Sequence, residues 1–189
     1  MSKTRTFIAI EALDEVHASA LTAIDRLRSA SDSIKWVEPE NLHWTLQFLG
    51  DLTDVEMAEV CLRTVRIAAR HEGFTLEARG VGAFPSIQRP RTLWLGAGEG
   101  AERIVELQAD IERALSSLGF RGENRKFVPH LTLGRAGRGP AAGLPLSQRL
   151  ANLADFDAGA MGVDAVTVYA SELGPHGPAY HVLAQAPLS

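Results

Sequence analysis

His43-Trp44-Thr45-Leu46-Gln47-Phe48-Leu49 and His130-Leu131-Thr132-Leu133-Gly134-Arg135 are two runs that share His-x-Thr-Leu. In the first, Leu42, Trp44, Leu46 and Phe48 alternate with His43, Thr45 and Gln47, and a period of two predicts a strand with one apolar and one polar face. The second run alternates in the same way. Residues i and i+2 share a strand face, so each His stands beside its Thr. With six His and ten Thr in 189 residues, about 0.3 His-x-Thr matches are expected by chance. Two matches, each followed by Leu on a comparable strand, form a signal.

Working outward, the flanking segments repeat in step. Phe7 and Trp94, Ile24 and Ile111, His43 and His130, and Phe48 and Arg135 are all separated by 87 residues. Thr6 to Ile10 reads as a strand, and Val16, Ala20, Ile24 and Leu27 as a helix capped at Asp14. Thr53 or Asp54 caps a second helix to about Arg70, and Phe74 to Val81 reads as a strand. Gly82 to Arg91, with Pro85 and Pro90, reads as a loop. Thr92 to Leu95 then restarts the order, followed by a helix from Ile104 to Leu118 that Gly119 ends. After the His130 strand come a Gly- and Pro-rich loop from Gly134 to Gly143, a short helix near Ser147 to Asn152, and strands at Val163 to Ser171 and Tyr180 to Ala184. The expectation is one bilobal domain over residues 1–189, duplicated as units 5–81 and 92–187. Two repeats do not make a solenoid. They predict an α+β fold of two pseudo-symmetric lobes, with the polar His/Thr faces opposed across a cleft.

Composition places the chain among ordinary globular proteins, with 46% hydrophobic and 22% charged residues. The 19 Lys+Arg against 23 Asp+Glu leave a net charge of −4, which provides no overall cationic field for long nucleic acid or anionic lipid. Any anion must be held locally. A lone Cys61 forms no internal bridge, and the chain carries neither a signal-peptide pattern nor an apolar run of spanning length, which predicts a cytoplasmic protein with no membrane partner. Cys61 reads as a buried, inert thiol.

Two opposed His/Thr pairs suit a phosphate. Imidazole titrates near neutrality, and a hydroxyl can donate to an anionic oxygen without carrying charge. One His can take a proton from water while the other gives one to the departing oxygen. The plainer reading is two half-buried structural histidines. A metal site is disfavoured because no His-x-His, His-Glu-x-x-His or Cys-x-x-Cys accompanies the pair, and neither metal nor cofactor is expected. Gly96-Ala97-Gly98-Glu99-Gly100-Ala101 fits a dinucleotide loop in pattern, but Glu99 would face the pyrophosphate, so a turn into a helix is the default. G-x-S-x-G and Walker A patterns are absent. Arg121, Arg125, Lys126, Arg135 and Arg138 surround His130 in sequence, opposed by Glu123, as a local phosphate funnel or a solvated face. Strict alternation puts Arg135 on the face opposite His130, so only a twist or bulge brings it into the cleft. Phe7, Phe48, Trp94 and Phe127 are core candidates, one of which can stack a base at the rim. His17, His71, His176 and His181 have no partner pattern.

At these residues the chain resembles bacterial RNA 2′,3′-cyclic phosphodiesterases, also described as LigT-like or ThpR-like 2′-5′ RNA ligases of the two-histidine phosphoesterase superfamily. The resemblance runs nearly end to end. It is carried by Arg5 to Ile10, Pro39 to Gly50, Phe84-Pro85 with Pro90-Arg91, Leu118 to Phe120, Phe127 to Arg135, Ser171 to Leu173 and Gly177 to Tyr180. Gly134, where the family pattern often has Ala, is a small departure. The resemblance implies a bilobal α+β fold with antiparallel sheets around a cleft. It implies metal-independent opening of a terminal 2′,3′-cyclic phosphate on RNA to a 2′-phosphomonoester, and reversible 2′-5′ joining of tRNA halves. It places catalysis on His43, Thr45, His130 and Thr132, with Arg135 as a substrate contact. The resemblance and the basic crowding near His130 together make His130 the base and His43 the acid. Phe48, Phe7 and Arg125 are further candidate substrate contacts. The expected partners are RNA 3′ ends or nucleoside 2′,3′-cyclic phosphates, tRNA halves among them, bound by a monomer. A related phosphoesterase acting on another cyclic phosphate or oligonucleotide 3′ end, and an inactive RNA-end-binding module, remain open; the presence of both His and both Thr argues against the inactive module.

Overall fold

Both His-x-Thr-Leu runs are strands, and they lie side by side in the middle of one curled antiparallel sheet. The computed structural model describes residues 3–122, 124–137, 143–175 and 177–189. In chain order these form β1 (Thr4–Glu11), α1 (Asp14–Arg28), β2 (Ile34–Trp36), a 3₁₀ turn (Pro39–Asn41), β3 (His43–Leu52), α2 (Asp54–Ala68), β4 (Phe74–Ser86) and β5 (Arg89–Ala97). The chain continues with α3 (Ala101–Ser116), β6 (His130–Ala136), α4 (Leu144–Asn152), β7 (Asp157–Val163), β8 (Ala165–Gly174) and β9 (Gly177–Pro187). The sheet order is β7-β4-β5-β6-β3-β1-β8-β9, with β2 added to β6. The central seam is the β3–β6 pair, joined at Trp44 and Leu131. Four strands of this order lie on each side of the seam, which gives the two lobes of the expected α+β fold. No helix among the described residues is long and apolar enough to cross a membrane.

The alternation of β3 and β6 sorts their side chains between two environments. Trp44, Leu46, Leu131 and Leu133 are buried with Ile24 and Leu27 of α1 and Ile104, Leu107 and Ile111 of α3 in one hydrophobic core. Burial of each such side chain contributes roughly 1.5–3 kcal/mol. α1 packs on β7 and α4 of the second lobe, while α3 packs on α2 and β3 of the first, so the helices brace both sides of the seam. The opposite sheet face, carrying His43, Thr45, His130 and Thr132, is left open for a site.

Several boundaries differ from expectation. Thr53 caps α2 in a full capping box with Glu56, as its spacing suggests. Asp14, by contrast, is not a cap. The cap position is Leu13, extended at φ −121° and ψ 161°, and Asp14 is the first helical residue, with φ 48°. The chain is fixed just before this turn by Ala12 N–H donating to the Leu42 carbonyl, and Asp tolerates the left-handed region better than most residues. Gly82 to Arg91 is not a loop. β4 and β5 form a long hairpin in which Pro85 pairs with Pro90 near the turn, where a missing N–H interrupts little of the ladder. Val163 to Ser171 is two strands, with Val163 ending β7 and Ala165 opening β8. β7 is poor in β-branched residues; β4 holds one side of it, and Gly159 lets Glu15 of α1 approach so closely that a Cβ there would collide with its carboxylate. β2, also unexpected, rests on β6 where Gly134 leaves room: a Cβ there would sit 2.7 Å from Ile34 and 2.9 Å from Trp36.

Candidate functional site

His43 opens β3 and His130 opens β6, and each is held by the backbone two residues before it. The Nδ1–H of His43 donates to the Asn41 carbonyl at 2.7 Å, and that of His130 to the Val128 carbonyl at 2.7 Å. A carbonyl only accepts, so it keeps the proton on Nδ1 and makes Nε2 the basic nitrogen of each neutral ring. Burial pushes His43 below its ordinary value of 6.5, the bond to Asn41 opposes this, and the charges of Arg135 and His130 add to the lowering. His43 is therefore mainly neutral near pH 7 in the free protein.

The strands share a further device. Leu46 is a bulge: Ile8 pairs with Gln47 and Ala9 with Thr45. Leu133 is its counterpart, because Leu93 pairs with Gly134 and Trp94 with Thr132. An extra residue on one strand reverses the face of every later side chain. Hence Phe48, which alternation puts on the apolar face with Trp44 and Leu46, is instead 54% exposed and stands 5.9 Å from the Phe7 ring, centroid to centroid, beside the cleft. Arg135, which alternation points away from His130, turns to the same side. It donates to Thr92 Oγ1 at 3.2 Å, and its charge acts on His43. Both strands run through the same sequence of burial from the His to the seventh residue.

Aromatic side chains complete the walls. Phe7 is only 3% exposed yet is not part of the helix-side core. Its ring packs 5.0 Å from His43, 5.2 Å from Tyr169 and 4.8 Å from Tyr180, so it supports the imidazole from below. Tyr180 meets His43 edge-on at 5.5 Å. In the second lobe Phe84 meets His130 edge-on at 5.1 Å and touches Trp94 at 5.2 Å. Tyr169, Tyr180 and Phe84 were not site candidates in the sequence. Phe84 was hidden in a segment that its prolines made look like a loop, and Tyr180 reaches His43 only because β9 closes the first lobe. Asn41, buried beside His43, is another such residue: its Nδ2 donates to the Pro178 carbonyl at 2.9 Å and ties the start of β9 to the residue whose own carbonyl holds His43.

The other candidates lie elsewhere or are differently employed. Arg121, Arg125 and Lys126 are exposed on the connection from α3 to β6. Arg138, Glu123 and His176 lie outside the described residues. Phe127 packs against the core. His17 hydrogen-bonds to the Pro39 carbonyl and His71 to Asp110, and His181 Nε2 lies 3.5 Å from the Glu172 carboxylate. The Gly96–Ala101 loop is occupied by Glu77, whose backbone and carboxylate receive the Gly98 and Glu99 amides; a pyrophosphate has no place there. Burial raises the Cys61 thiol above its ordinary range. Among the described residues no three His, Cys, Asp or Glu side chains gather as a metal-binding group.

A family model described as the 2′-5′ RNA ligase superfamily matches residues 13–175. The chain belongs to the 2′-5′ RNA ligase superfamily. It is 39% identical over 180 residues to an RNA 2′,3′-cyclic phosphodiesterase of Methanothermobacter thermautotrophicus, covering 94% of this chain and 95% of the relative. Among solved structures, a Thermus thermophilus protein superposes with a TM-score of 0.81 at 28% identity, over 97% of both chains. Escherichia coli LigT complexed with 3′-AMP superposes with a TM-score of 0.75 at 25% identity, over 99% of both chains. This member of the 2′-5′ RNA ligase superfamily carries on β3 and β6 two imidazoles restrained through Nδ1, two threonines and one arginine.

Proposed function

We propose that this chain is an RNA 2′,3′-cyclic phosphodiesterase that opens a terminal cyclic phosphate to a 2′-phosphomonoester. The observation that carries the reading is the pair of imidazoles with Nδ1 fixed on a carbonyl, so that Nε2 is the basic nitrogen of each, beside an arginine delivered to the same cleft by the strand bulge. Membership of the superfamily and the named phosphodiesterase relatives support the substrate class.

In this reading Nε2 of His130 takes a proton from water, the oxygen attacks phosphorus, and the bond from phosphorus to O3′ breaks. His43 gives its proton to O3′, leaving the phosphate on O2′. Each proton transfer contributes roughly 10²–10⁴ in rate. Thr45 and Thr132 donate to the non-bridging oxygens and Arg135 neutralises their charge. The bound anion raises the depressed His43 and so loads the acid that the free protein keeps mostly neutral. Phe48 faces solvent at the rim, where it stacks the terminal base; Phe7 holds His43 from below, and exposed Arg125 attracts the RNA from outside the cleft. The substrates are RNA ends or nucleoside 2′,3′-cyclic phosphates, tRNA halves included, bound by a cytoplasmic monomer. The duplication of units 5–81 and 92–187 within one bilobal domain is supported by the matching bulges at Leu46 and Leu133.

The test is a short RNA ending in a 2′,3′-cyclic phosphate. A product ending in a 2′-phosphomonoester is expected. A 3′-phosphomonoester, or an untouched substrate, overturns the reading.

A further inference from the structure

α2 carries two apolar stripes, and the core takes one of them. Val60 and Ala68, with Met57, Cys61 and Ile67 beside them, pack into the same core as Trp44 and Leu46. Val55, Ala58 and Leu62, at i, i+3 and i+7, form a second stripe on the outer face, where Val55 is 80% and Leu62 48% exposed. The segment Leu118-Gly119-Phe120, which the cleft does not use, completes a groove beside this stripe. Gly119 takes φ 90° past the end of α3, the left-handed conformation that commonly follows a helix, and Leu118 and Phe120 on either side of it pack against the core. The groove between the stripe and these two residues has a volume of about 750 Å³. Val55 and Leu62 are two turns apart, roughly 10 Å along α2, a length that receives the i, i+3 or i+4, and i+7 side chains of a docked helix.

The charge around the groove selects its occupant. Asp54, Glu56 and Glu59 line it, and none of its described lining residues is basic. By helical spacing Glu56 and Glu59 fall on one side of the stripe and Asp54 on the other. Arg63 pairs with Glu59 at 2.7 Å but is also bound to the Ala114 carbonyl and to Ser117 at the end of α3, and Lys3 acts on Glu56 from outside the lining. Acidic flanks repel an RNA backbone, and a two-fold contact with a second copy would set the same carboxylates against each other. We infer that this groove docks a partner protein through a short amphipathic helix, apolar on the face it buries and rich in Lys or Arg along its edges. Docking here leaves the cleft open whatever reaction the cleft performs. α2 begins where β3 ends, nine residues from His43 and roughly 25–30 Å along the strand, and it packs on the sheet face opposite to His43 and Thr45.

The probe is a synthetic peptide of about four helical turns, with Leu at i, i+3, i+4 and i+7 and Lys on both flanks; a second peptide has Glu in place of each Lys. The Lys peptide is expected to shift the methyl resonances of Val55, Ala58 and Leu62. It is expected to bind at least about tenfold more tightly than the Glu peptide, with the preference shrinking as salt rises. Leu62→Lys, at a half-exposed position, is expected to weaken the Lys peptide at least about tenfold while the cooperative unfolding transition is retained, which separates a lost groove from a lost fold. Equal affinity for the two peptides, no binding, or binding that leaves the α2 methyls unmoved overturns the inference. So does displacement of the peptide from α2 by single-stranded RNA, which would assign the groove to nucleic acid, or a wild-type dimer that Leu62→Lys dissociates, which would assign it to a second copy.

Discussion

His43 and His130 differ in surroundings although they begin equivalent strands. His43 is packed between Phe7 and Tyr180, and burial with the nearby charges of Arg135 and His130 lowers its pKa. Removing either ring as His43→Ala or His130→Ala should abolish most turnover while leaving the fold intact, measured by initial rates and by a retained cooperative unfolding transition, since each removes a proton-transfer group at the cleft. Thr45→Ala or Thr132→Ala should cost less, about 2–4 kcal/mol in kcat/KM if each hydroxyl meets developing charge. The pH profile carries a sign. Because free His43 titrates below 6.5, and a bound phosphate favours its protonated form, the basic limb assigned to the acid should lie at higher pH in kcat than in kcat/KM. Coincident limbs, or a rate rising steadily through pH 9, would refute the acid role. An aryl phosphodiester whose leaving group needs no proton should rescue His43→Ala far more than His130→Ala; the opposite pattern would exchange the roles.

At the scale of the element, the strand period placed the His/Thr pairs correctly but misplaced the residues after them. Alternation is local, whereas a bulge is a property of the pairing, and one extra residue at Leu46 or Leu133 is visible only against β1 or β5. Phe48 and Arg135 reach the cleft for this reason. Arg135→Ala is expected to weaken substrate binding and lower kcat/KM by about 1.5–3 kcal/mol, as for loss of a charged hydrogen bond, while Arg135→Lys recovers part of the binding through charge without the planar fork. The cap of α2 was legible because a capping box is a four-residue pattern. Thr53→Ala should lower stability by about 1 kcal/mol in denaturant unfolding and leave kcat unchanged, since α2 lies away from the cleft. The β4–β5 hairpin was illegible because Pro85 and Pro90 are loop residues in isolation, and only their opposition at the hairpin end makes them compatible with strands.

The whole molecule is acidic, with a charge of −4, yet it delivers an arginine to its cleft. Acid and base both come from the chain in the proposed mechanism, so full activity on a cyclic-phosphate RNA should survive exhaustive chelation; loss, with recovery on adding zinc or manganese, would replace the mechanism with a metal-assisted one. By itself the sequence determined what local chemistry and periodicity can encode: the two His/Thr faces, their separation of 87 residues, the amphipathic helices, and the absence of a whole-molecule cationic field. The tertiary structure alone decided which side chains meet. The seam at Trp44 and Leu131 sets β3 beside β6, β9 brings Tyr180 to His43, and the bulges aim Phe48 and Arg135. These are contacts between residues far apart in the chain, and their register depends on how strands pair across the sheet, a quantity no single strand contains.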